Sequence, residues 1–119
     1  MKFETEYRNL HFHIALEKVT VSDPALLLGD KFNRLGNQTM IEVKKGNLVP
    51  YNLVIESTKD DETRTHYWSN VLLTNKEDEV LEDLGDYLTS EEILDQIIEN
   101  WELGGTEKGP AWSLAPKKS

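Results

Sequence analysis

The feature that most constrains this chain is a pair of alternating apolar runs on either side of an acidic turn. Val49, Tyr51, Leu53 and Ile55 alternate with Pro50, Asn52, Val54 and Glu56, and Tyr67, Val71 and Leu73 share a face with Thr65 and Ser69. A period of two is what a strand needs to bury one face. Partners across an antiparallel ladder share a face, so joining odd residues to odd residues needs an odd-numbered loop unless a bulge intervenes. A loop over Asp60-Asp61-Glu62 then sets Ile55 opposite Tyr67, Tyr51 opposite Val71 and Val49 opposite Leu73. Pro50 has no donor for a ladder and belongs at a sheet edge or a strand end.

Upstream, Leu10, Phe12, Ile14 and Leu16 point one way while His11, His13, Ala15 and Glu17 point the other, within a segment running from Phe3 to Val21. Phe3 and Tyr7 either open an earlier strand or pack as an arm. Val19 and Val21 carry the apolar face in the other register, which demands a bulge or bend near Glu17 and Lys18. Ser22-Asp23-Pro24 combines a capping hydroxyl, a carboxylate at the positive end of the dipole and a proline where no donor is needed, so a helix starts there. Leu28, Phe32 and Leu35 form its stripe and Gly36-Asn37 its stop, with a break at Gly29 as the competing reading. Ile41 and Val43 are read as a further strand, which turns over Gly46, Asn47 and Leu48 into the hairpin.

The block Asn75 to Leu103 reads as two amphipathic helices. Asn75 and Asp78 cap the first, and Val80, Leu81, Leu84 and Leu88 form its buried stripe. Thr89-Ser90-Glu91-Glu92 has the form of a capping box that restarts the helix, and Ile93, Leu94, Ile97, Ile98 and Trp101 form the second stripe until Gly104-Gly105 ends it. The tail contains two Gly-Pro or Ala-Pro breaks but also Trp112 and Leu114, which either dock on the body or act as a recognition motif. The fold class expected is α+β: an antiparallel sheet of about four strands in β-α-β-β-β-α-α order with helices packed on one face. Residues 1–104 are expected to form one domain and 105–119 a tail, with docking through Trp112 and Leu114 and a free recognition motif as the two alternatives. The run of helix, three strands and helix is similar in order to double-stranded RNA-binding domains. Those domains need a basic helix start against phosphate, so here the resemblance implies topology alone.

Charge narrows the functions. The net charge is -9, which disfavours sequence-independent binding to nucleic acid or to anionic lipid. The chain has no cysteine, so disulfide and thiolate chemistry are excluded. No apolar run is long enough for a membrane span or a secretion signal, and the expectation is a soluble, cytoplasmic protein.

His11 and His13 share one strand face, and three histidines with His66 form a ligand set known for zinc. Nothing in the sequence brings His66 beside the pair, and two solvent-side imidazoles are the plainer reading. Asp60-Asp61-Glu62 lacks the spaced oxygens and central glycine of a calcium loop. There is no phosphate-binding glycine loop and no nucleophile with a base, so no catalytic, cofactor or metal residue is assigned and no enzyme activity is expected.

From Glu77 to Glu102 the chain carries eleven of its 22 acidic residues and no Lys or Arg. Carboxylates at helix starts have a structural reason. Asp95, Glu99 and Glu102 run toward the negative end of the second helix without a compensating Lys at i+4. The sequence therefore points to a non-enzymatic binding module of the inhibitor, immunity or anti-defence sort, facing a basic protein such as a nuclease or nucleic-acid-binding protein. Asp83, Asp86, Asp95, Glu99 and Glu102 are its expected contacts, with Trp101 and Trp112 as apolar anchors. The alternative is an assembly subunit that oligomerises through its sheet or tail.

Overall fold

The computed structural model describes residues 1–20, 28–101 and 114–116. The expected helix start at Ser22-Asp23-Pro24, the stop at Gly104-Gly105, Val21, Glu102 and Trp112 lie outside these residues. Four long strands build an antiparallel meander: β1 (Lys2–Tyr7), β2 (Leu10–Lys18), β3 (Leu48–Lys59) and β4 (Glu62–Thr74). Their order across the sheet is β4-β3-β2-β1, and the two-residue β5 (Ala115–Pro116) extends it beside β1. Between β2 and β3 lie a helical turn, α1 (Asp30–Asn33), and a helix, α2 (Asn37–Lys44). After β4 a 3-10 turn (Glu77–Glu79) leads into α3 (Val80–Ser90) and α4 (Ile93–Asn100). The class is α+β, and no helix among the described residues is long and apolar enough to cross a membrane.

One face of the sheet holds the core. Phe3, Tyr7, Leu10, Phe12, Ile14, Leu16, Tyr51, Leu53, Ile55, Val71 and Leu73 project from it onto Val80, Leu84 and Leu88 of α3 and Ile93, Leu94, Ile97 and Ile98 of α4, all buried. The i, i+4, i+8 stripe of α3 and the paired stripe of α4 account for this packing. Leu114 packs against the same core, and Ala115–Pro116 pairs with Phe3 and Glu4. A smaller cluster forms where Leu28 and Val43 meet Leu35, Met40, Leu48 and Leu72. Leu48 and Leu72 alternate with residues of the main core, so α2 closes over the far side of the sheet at one end.

Several expectations are corrected. Ile41 and Val43 are in helix α2, with Val43 buried and Ile41 44 % exposed. Lys45 is the helix C-cap, Gly46 follows at φ +79, and the Gly46 and Asn47 amides donate to the Val43 and Glu42 carbonyls at 3.1 and 3.0 Å. That is a Schellman stop, so Gly46-Asn47 ends a helix and does not turn a hairpin. With that strand gone, the order of helix, three strands and helix shared with RNA-binding domains is absent. Gly29, at φ +56, separates Leu28 from α1. This is the break that competed with a continuous helix.

The register between β2 and β3 is unbroken from His11 opposite Thr58 to Lys18 opposite Tyr51. No bulge occurs at Glu17 and Lys18, because β2 simply ends there. The irregularity lies in β4. Tyr51 faces Val71 and Val49 faces Leu73 as expected, but Leu53 faces Trp68 and Ile55 faces His66. Asn70 adopts φ +56 at this shift, and it accommodates the extra residue that parity assigned to the loop. The turn accordingly contains two residues, with Lys59 paired to Glu62, and Tyr67 is 73 % exposed on the outer face.

The expected caps are replaced as well. Asn75 Oδ1 accepts from Lys18 Nζ at 2.6 Å, while the Lys76 amide donates to Thr74 Oγ1 at 3.1 Å. Thr89 and Ser90 stay within α3, their hydroxyls donating to the Gly85 and Tyr87 carbonyls at 2.9 and 3.2 Å. The chain turns at Glu92, which takes φ 52 and caps α4 without a side-chain bond.

Candidate functional site

Two surfaces carry the residues singled out by chemistry: the outer side of α3 and α4, and the open face of the sheet.

On the helices, the four acidic candidates among the described residues divide by what they touch. Asp83 lies in the first turn of α3 and is half-buried; its Oδ2 accepts from the Thr74 amide at 2.7 Å, tying the end of β4 to the helix. Half-buried Asp95 accepts from Tyr7 Oη at 3.0 Å and joins α4 to β1. Both carboxylates therefore hold helix to sheet. Asp86 and Glu99 are exposed, as are Glu82, Glu91 and Glu92. Among the described residues, none of these five forms an ion pair.

Trp101 is half-buried against the core, and its Nε1 donates to Ser57 Oγ at 2.8 Å. The Arg64 guanidinium lies 4.2 Å above its ring. Arg64 Nη1 also donates to the Asn100 carbonyl at 2.8 Å, and Nε to Glu62 Oε2 at 2.6 Å. A cation thus sits at the negative end of α4 after all, supplied from β4. Sequence periodicity along the helix carried no signal for it, because the partner is 36 residues away.

On the open sheet face, the ladder sets Glu4 opposite His13, His13 opposite Glu56, and Glu6 opposite His11. His11 Nδ1 is 3.1 Å from Glu6 Oε1 and His11 Nε2 is 3.6 Å from Glu4 Oε2. The His11 and His13 rings are 4.4 Å apart between centroids. His66 does not join them. It faces Ile55 on the core side and stacks near Trp68 at 6.2 Å, so a site of three histidines is not formed. The carboxylates that do stand beside His11 and His13 come from β1 and β3. A derived β1 to β2 register would have found Glu4 and Glu6, but the Arg8-Asn9 turn contains no glycine to announce it. Both residues adopt positive φ, 50 and 67.

Two tyrosines have raised pKa values. Tyr51, whose hydroxyl donates to the Thr74 carbonyl at 2.9 Å, is pushed up by burial and then by the charges of Asp83 and Glu77. Burial also raises Tyr87, helped by Glu91.

Comparison with protein-family models, with curated proteins and with solved structures gave no match to this chain.

Proposed function

We propose that the protein is a non-enzymatic binding module of the inhibitor type, which offers the outer carboxylates of α3 and α4 to a basic protein surface such as that of a nuclease or nucleic-acid-binding protein. The observation that carries this reading is the set Glu82, Asp86, Glu91, Glu92 and Glu99: all exposed, and none in an ion pair among the described residues. Like charge on two consecutive helices, with these five carboxylates in no ion pair among the described residues, costs self-repulsion and offers long-range attraction to a cationic partner. Asp83 and Asp95 serve the fold first, so the contacts that variants can test cleanly are Asp86 and Glu99.

The test is capture of partners from the native host with wild type and with the Asp86→Lys/Glu99→Lys double variant, followed by affinity measured from low to high salt. Wild type is expected to bind at least 10-fold more weakly at high salt, through slower association. The double variant is expected to lose the partner while its stability changes by no more than about 0.5 kcal/mol per site. An affinity flat across salt, or unchanged by the charge reversals, refutes the proposal.

A second reading, assembly through the sheet, draws on β4. Among the described residues its outer edge pairs with no strand, and Tyr67 beside it is 73 % exposed. An oligomer in gel filtration that dissociates on Tyr67→Lys would favour this reading over the first.

A further inference from the structure

We infer that the open sheet face carries a binding site for a late first-row divalent cation, zinc being the natural probe, built from Glu4, His11 and His13. One ligand atom from each lies within 4.8 Å of the others. All three are half-buried on regular strands, so the backbone fixes their spacing.

The geometry around His11 suits a metal ligand. Glu6 Oε1 stands 3.1 Å from Nδ1, and a carboxylate only accepts, so Nδ1 is the nitrogen that carries the proton in this contact. Nε2 is then the ring nitrogen that faces Glu4, and the Glu6–His11 contact is the carboxylate–histidine arrangement that commonly supports metal ligands. The gap from Nε2 to Glu4 Oε2 is 3.6 Å. A charge-assisted hydrogen bond would close to about 2.7–2.9 Å. Two ligands of a tetrahedral zinc, each bonded at about 2.0–2.2 Å, stand roughly 3.4 Å apart. The observed spacing matches the second figure better than the first.

His13 supplies the third ligand; Glu56 is its cross-strand neighbour on β3 and stands outside the set of three. Imidazole nitrogens with carboxylate oxygen suit zinc, nickel or copper better than calcium or magnesium. Such an ion clasps β1 to β2 and neutralises charge on this face. It uses no residue of the acidic helices, so its test is independent of the proposed partner.

The experiment is titration of the full chain with zinc chloride, followed by calorimetry and by imidazole NMR. Binding of one ion per chain is expected, with the His11 and His13 signals moving and His66, on the other face, serving as an internal reference. Glu4→Gln and His13→Ala should each weaken binding at least 10-fold, and Glu6→Gln should weaken it about 10-fold through the lost orientation of His11. Glu99→Gln should leave it unchanged. With zinc at 100 times its dissociation constant, the ratio of folded to unfolded protein should rise about 100-fold, visible as a raised Tm. No saturable binding up to millimolar zinc, movement of His66 alone, or wild-type affinity in His13→Ala would overturn the assignment.

Discussion

Replacing Trp101 by Phe separates an internal clasp from a partner anchor, and its effect can be worked from the structure. The indole Nε1 donates to Ser57 Oγ at 2.8 Å, and Ser57 is 0 % exposed. Phe keeps most of the ring contact and removes the donor. The lost bond is worth about 1 kcal/mol, and leaving a buried acceptor short of a partner carries the cost toward 1–3 kcal/mol. The low half of that range applies, because Ser57 Oγ still donates to the Arg64 carbonyl, although at a long 3.4 Å. Weaker attraction between the Arg64 guanidinium and a phenyl ring adds a few tenths of a kcal/mol.

The total expected is about 2 kcal/mol, which lowers the urea midpoint by roughly 1 M for a slope of about 2 kcal/mol/M. Ser57→Ala alone should cost about 1 kcal/mol. The cycle of Trp101→Phe with Ser57→Ala isolates the bond, and a coupling of about 1 kcal/mol is expected from residues in direct contact. A coupling under about 0.3 kcal/mol would refute the clasp, since that is the scatter of independent sites. If the Phe variant instead lost partner binding at unchanged stability, Trp101 would be an anchor as the sequence suggested.

Asp83→Ala should cost about 1–2 kcal/mol, because the Thr74 amide loses a charged acceptor at 2.7 Å; hydrogen exchange at Thr74 should accelerate, and unchanged protection there would reject the role. For Tyr51 the shift is upward, so the folded state keeps a proton that the unfolded chain releases near pH 10. Its contribution is complete below about pH 10 and is lost as pH rises through the folded value. Tyr51→Phe should cost about 1 kcal/mol at neutral pH through the bond to the Thr74 carbonyl. It should also flatten the alkaline decline that sets in above about pH 10 in urea melts, and an identical slope would count against it. At Asn70, φ +56 makes Asn70→Val cost about 1–2 kcal/mol while Asn70→Gly stays within a few tenths; equal melting of the two variants would remove the bulge from the account.

How far the chain could be read depended on whether a signal was local. The helix stripes Val80, Leu84, Leu88 and Ile93, Leu94, Ile97, Ile98 lie on regular elements, and all seven are buried. The alternation of Leu10, Phe12, Ile14 and Leu16 likewise survives intact, all buried on one face. Ile41 and Val43 misled because two β-branched residues at i, i+2 look like a strand; the helical pair that packs is Met40 with Val43. The candidate surfaces were harder to read for the same reason. Arg64 over Trp101 and Tyr7 on Asp95 join sheet to helix, and Glu4 beside His11 joins two strands, so tertiary packing and strand register, not local pattern, pair them.

The hairpin shows what decides between registers when parity leaves two solutions. Two odd-to-odd strands can be closed by a three-residue loop over Asp60-Asp61-Glu62, or by a two-residue turn with one residue bulged. Both use the same chain. In the first, Tyr67, Thr65 and Thr63 would face the helices; in the second, Trp68, His66 and Arg64 do. The second buries part of a tryptophan against the core and brings Arg64 to Trp101 and the end of α4, while Tyr67 is left to solvent at 73 % exposure. The bulge sets a tryptophan and a helix-end cation where the other register would set a tyrosine and two threonines, and it places the left-handed backbone at an asparagine, which adopts it at low cost. The choice is thus made by the residues that α4 offers as partners, and the strand pattern on its own cannot contain it.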